Sequence, residues 1–214
     1  MIFRGGSVIA TAGTTNATEM NELERLRSDP CHWGSIAFSA RHTDERGTYD
    51  GNADARLRVL LTLQYDRRDS DIELIRYLLT HEIIAAENDS FQGCSNALQL
   101  AAFLLATFRD PADASLFARA KLANFDTVCG FPIQFIFVSD REQAELNIKA
   151  NDPDLWDQLA SSFDISMTSD DLNQWWRSIC CDYPDCEDDE DVLALYERAL
   201  SFGERDRALH YLEK

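Results

Sequence analysis

Lys121, Asn124, Asp126 and Cys129 fall close together near a helix exit beside Gly130, so a cation, an amide, a carboxylate and a thiol can share one cleft. A thiol next to a cation ionises more easily, and the thiolate is a nucleophile. Cysteine catalysis also needs a base, and His81 is the histidine assigned to that part. Against this stands a packing reading, in which Asn124 and Asp126 cap backbone groups at a tight turn closed by Gly130. The packing reading is preferred, and the small enzyme using a cleft around Asp126 and Cys129 is kept as the alternative.

Metal chemistry finds little support. His81-Glu82 opens like the helix motif of zinc proteases, but the position four residues after His81 is Ala85, so the second ligand is missing. Cys180, Cys181 and Cys186 with Asp182 and Asp185 offer thiolates and carboxylates, yet adjacent cysteines diverge on a helix and no second cysteine pair lies nearby. The acidic run Glu187 to Asp191 lacks the alternating ligands and central glycine of a calcium loop. It suits a helix start, where carboxylates meet the positive end of the helix dipole. No catalytic residue, metal or cofactor is assigned.

Two features suit contact with another protein. Trp175 and Trp176 lie on one apolar stripe with Leu172 and Ile179, so one is expected in the core and the other is free for an interface. Glu187, Asp188 and Asp189 concentrate negative charge in a chain whose formal net charge is already -18. That surplus repels phosphate backbones and anionic membranes, which argues against direct nucleic-acid or membrane binding and for a partner with a basic surface.

The elements that position these groups read as helices. Nine glycines and five prolines are few for 214 residues, which disfavours many short strands joined by turns. Ile72, Ile75, Leu79, Ile83 and Ala86 recur at helical spacing behind Ser70 and Glu73, spaced as a capping box. Residues 97–108 are apolar almost all round and predict a central helix. Asp110-Pro111 and Asp152-Pro153 pair an N-cap with proline at the first helical position. Val192, Leu195, Tyr196, Ala199 and Leu200 form a stripe ended by Gly203, and Ala208, Tyr211 and Leu212 suit a short final helix. The first 20 residues and residues 41–54 read as irregular. Ile36, Phe38 and Ala40 alternate as in a strand; Ile133, Phe135 and Phe137 do too, though residues 133–138 read preferentially as a buried helical turn.

Helix starts near Ser70, Pro111 and Pro153 are about 41 residues apart, with Asp29-Pro30 about 40 residues before the first. This spacing resembles HEAT and armadillo repeat proteins over residues 55–214, and the resemblance implies paired helices stacked in a short, irregular solenoid. The expected fold is therefore all-α, mainly helical hairpins. An irregular segment 1–54, with room for short strands, packs on a helical domain 55–214.

Six cysteines without a framework spacing predict free thiols, and the N-terminus lacks a signal-peptide core, so a cytoplasmic location is expected. The glycosylation tripeptide at Asn16 then carries no meaning. The functional expectation is an acidic helical interaction or scaffold module, in its sharper form an inhibitor or immunity-type binder of a basic partner.

Overall fold

The computed structural model describes residues 12–89 and 93–213, with the backbone alone for 12–18. The chain is all-α, with one small antiparallel ribbon among the described residues. Helix α1 spans Ala12–Ser28, and a 3-10 segment follows over Pro30–Ile36. Strands β1 (Ala40–Thr43) and β2 (Gly47–Asp50) pair with Arg41 opposite Tyr49. Then come α2 (Ala53–Tyr65), α3 (Ile72–Asn88), α4 (Asn96–Ala106), α5 (Ala114–Leu122), α6 (Phe125–Gly130) and α7 (Gln134–Phe137). The chain closes with α8 (Arg141–Asn151), α9 (Pro153–Ser162), α10 (Ser169–Asp182), α11 (Val192–Ser201) and α12 (Arg205–Leu212).

The aspartate-proline pairs act as their chemistry dictates. Asp29 accepts a hydrogen bond from the Cys31 N–H, Asp110 from Ala112, and Asp152 from Leu155, each with proline beginning the helical turn. The start of α3 uses a different device from the expected pair of Ser70 and Glu73. Asp71 accepts the Arg68 N–H at 2.8 Å, while Glu73 pairs with Arg76. Asp71 wins because Arg27, arriving from α1, holds the same carboxylate in place at 2.6 Å.

Helix α4 is enclosed on every side and packs against α2, α3 and α7; Leu98, Leu104 and Leu105 have no exposure. Helix α5 lies against both α3 and α9, and α10 lies against α7. Residues 133–138 form the buried helical turn rather than a strand, with Phe135, Ile136 and Phe137 inside.

The N-terminal region departs from the irregular reading. Residues 1–11 lie outside those described, and the Asn16 tripeptide lies where only backbone is, but α1 is helical from Ala12. Gly13, Thr14, Thr15 and Asn16 give it poor intrinsic propensity. Tertiary contacts hold it instead: Leu23 and Leu26 are fully buried, and Arg27 reaches Asp66 and Asp71. The strand signal at Ile36, Phe38 and Ala40 is displaced, because Pro30–Ile36 winds as 3-10 and β1 begins only at Ala40.

The last two helices stand apart in their packing. Leu195, Ala199, Ala208 and Tyr211 form a small core between α11 and α12, separate from the main core. Gly203, at φ +74°, makes the turn between them in the left-handed region that favours glycine.

Candidate functional site

The structure brings Lys121, Asn124, Asp126 and Cys129 together, but around the two ends and outer face of α6. Asn124 is its N-cap, accepting the Thr127 N–H at 2.8 Å, and its amide nitrogen donates to the carbonyls of Ala86 and Gly93 at 2.9 and 3.1 Å. Lys121 is buried, and its ammonium donates to the carbonyls of Val128 (2.5 Å), in the last turn, and Phe131 (2.8 Å), just beyond it. A cation there satisfies carbonyls that the helix leaves unpaired. Burial pulls the Lys121 pKa below the usual lysine value, opposed by Cys129 and Cys94. Asp126 and Cys129 are exposed on the outside of the same helix.

His81 is engaged elsewhere. Its Nδ1 accepts the Phe38 N–H at 3.0 Å and its ring meets Tyr77 edge-on, while burial, with Arg56 nearby, lowers its pKa. The imidazole therefore anchors the N-terminal segment to α3.

Trp175 and Trp176 are both half-buried against the main core. Trp175 meets Phe135 edge-on with centroids 4.9 Å apart; Trp176 stacks on Phe103 at 5.6 Å, with the Arg109 guanidinium 4.2 Å from its ring centroid. Both rings thus pack on the core while part of each stays exposed. The Cys180 thiol is half-buried, with its pKa raised by burial, and the Cys181 thiol turns back onto the Arg177 carbonyl at 3.4 Å. Among the described residues, no group of three or more histidine, cysteine or acidic side chains is arranged to hold a metal ion.

The acidic run faces a seam between the C-terminal hairpin and the body. Glu187 to Asp189 form one 3-10 turn, and Asp191 caps α11 by accepting the Leu193 and Ala194 N–H groups. Glu187 accepts from Arg207 at 2.6 Å and from the Tyr211 hydroxyl at 2.8 Å. Glu190 joins Tyr65 and Arg198, and Gln64 donates to the Pro184 carbonyl at 2.8 Å. Arg58, from α2, bridges Glu19 of α1 (2.8 Å) and Glu204 at the foot of α12. Asp188 and Asp189 are exposed at the mouth of the seam.

Behind these contacts lies a cavity of about 400 Å³, whose apolar lining includes Met20, Leu61, Leu195 and Phe202. Its polar groups are tied to one another, carboxylate to guanidinium to phenol. Tyr211 is pushed up to about 12, by burial first and then by its bond to Glu187, so its phenol holds its proton throughout the neutral range. This arrangement latches the C-terminal hairpin to the body.

The outer face of the hairpin carries the feature that sequence reasoning missed. Five of the eight exposed large hydrophobic residues among those described are Val192, Leu193, Leu200, Leu209 and Leu212. The signal was present: apolar residues on 192–200 cover a wider arc than one helix contact buries. A second missed feature is the buried cluster of Arg56, Glu82 and Asp50, which pins β2, α2 and α3 together.

Comparisons of the chain with protein-family models, with curated proteins and with solved structures find no match.

Proposed function

We propose that this protein is an acidic interaction module whose partner is another protein with a basic surface. One observation carries the reading. Residues 182–191 hold seven acidic side chains and no basic one, within a chain of net charge -18, and this segment leads directly into α11, the first helix of the hairpin whose outer face exposes apolar side chains. Opposite charge speeds encounter by steering, and apolar side chains then slow release. In its finer form the module inhibits a basic toxin or nuclease, occupying the groove that phosphates would fill, and it works in the cytoplasm. Among the described residues, no helix is long and apolar enough to cross a membrane.

The enzyme reading loses its cation, because Lys121 is committed to backbone carbonyls inside the fold. The test is the association rate with a co-purified basic partner, measured from about 0.05 M to about 1 M salt. The rate is expected to fall by about tenfold or more as the Debye length shrinks to about 3 Å. A rate independent of salt refutes the electrostatic reading.

A further inference from the structure

We infer that the outward face of the α11–α12 hairpin is a docking surface for a cationic amphipathic helix of a partner protein. The inference rests on the interaction-module reading and gives it a place and a partner chemistry.

The first observation is the concentration of exposed apolar side chains. Leu193, Leu209 and Leu212 are each 59 % exposed, and Val192 and Leu200 add to them. At about 100° per residue, Val192, Leu193, Tyr196 and Leu200 fall within about 100° of arc on α11. Leu195 and Ala199 lie to one side of that arc, in the core shared with α12. On α12, Leu209 and Leu212 are three residues apart and lie on one side of the helix. The hairpin thus completes its own core, with Tyr196 packed at its edge, without Val192, Leu193, Leu200, Leu209 and Leu212, and isolated surface leucines differ from such a cluster.

The second observation is charge. The segment leading into α11 is acidic at seven of its ten positions, 182–191, and Asp182, Asp185, Asp188 and Asp189 are exposed. An apolar stripe on a hairpin that an acidic segment enters, in a chain of net charge -18, is complementary to a helix with leucine-like residues on one face and lysine or arginine along its edge. Two packed helices also present a groove between their side-chain ridges into which a third can lie. A second copy of this chain is a poor occupant, because it would bring two such acidic segments together. Anionic lipid is repelled for the same reason.

The test uses the full chain and a fluorescent leucine-lysine peptide of about 18 residues, long enough to form a helix, with its leucines in one stripe. A scrambled peptide of the same composition is the control, and binding is followed by anisotropy. The striped peptide is expected to bind at least about tenfold more tightly than the scrambled one. In Leu193→Gln/Leu200→Gln, whose far-UV spectrum and melting temperature stay as in the wild type, that advantage is expected to disappear. In Asp188→Asn/Asp189→Asn, affinity is expected to fall and its salt dependence to weaken.

Equal binding of the two peptides, or unchanged binding by Leu193→Gln/Leu200→Gln, overturns the inference. So does a wild-type dimer in sedimentation that the same double substitution dissociates, since the face would then belong to a second copy. The broader reading fails separately. A co-purified partner whose association is salt-sensitive but indifferent to Leu193→Gln/Leu200→Gln preserves the module and removes this surface from it.

Discussion

Arg56→Met is the most informative single perturbation of the fold. Arg56 is 0 % exposed, and its guanidinium donates to Glu82 at 2.8 Å, to Asp50, and to the Ile36 carbonyl at 3.3 Å. Methionine keeps the volume of the stem and removes the charge, leaving Glu82, 4 % exposed, with the Ser95 hydroxyl at 3.3 Å as its one remaining side-chain partner among the described residues. Asp50 is better placed, because the N–H groups of Ser39 and Asn52 still donate to it at 2.9 Å. Removing one partner of a buried ion pair costs about 3–5 kcal/mol at neutral pH.

The penalty depends on pH with a definite sign. Burial raises the Glu82 pKa above the ordinary carboxylate range, and Arg56 opposes that rise. A raised carboxylate pKa means the folded state holds the proton more tightly than the unfolded chain. Its contribution is therefore most favourable at low pH and is lost as pH rises from the unfolded value through the folded one. Without Arg56 the folded value climbs further, so the variant's deficit should grow by up to about 1.4 kcal/mol per pH unit across the interval between the wild-type folded value and the variant's higher one. Urea melts of wild type and variant at about pH 5 and about pH 7 measure it. A double variant, Arg56→Met/Glu82→Gln, should recover much of the loss and lose most of the pH dependence. A deficit below about 1 kcal/mol, or one that shrinks as the pH rises, refutes the reasoning.

Leu105→Ala should cost about 2–5 kcal/mol in the same melts, because α4 is enclosed on all sides and a cavity remains. Cys129→Ser should change stability by less than about 0.5 kcal/mol and leave partner binding intact, whereas Lys121→Met should cost about 1.5–3 kcal/mol by stranding the carbonyls of Val128 and Phe131. In an ultraviolet titration, Tyr183 and Tyr211 should ionise near pH 12, later than an ordinary phenol. The unfolded chain loses these protons first, so stability should fall between about pH 10 and about pH 12, and less steeply in Tyr211→Phe.

The sequence alone determined those features whose causes lie within a turn or two of chain. Three aspartate-proline pairs start helical turns where their chemistry places them, and the all-round apolar run became the enclosed α4. The turn at Gly203 and the buried turn at residues 133–138 were legible for the same reason. Tertiary structure decided what depends on distant partners. Helix α1 exists through Leu23, Leu26 and the reach of Arg27 across 44 residues to Asp71, none of which its own first residues announce. Arg58 meets Glu204 across 146 residues, so the seam has no local signature. Lys121 and Cys129 looked alike as candidates until packing put one inside as a cap and left the other exposed. The apolar stripe on residues 192–200 was visible as a stripe, but which leucines would remain outside was set by how much of it α12 could cover, and a helix neighbour covers only one face.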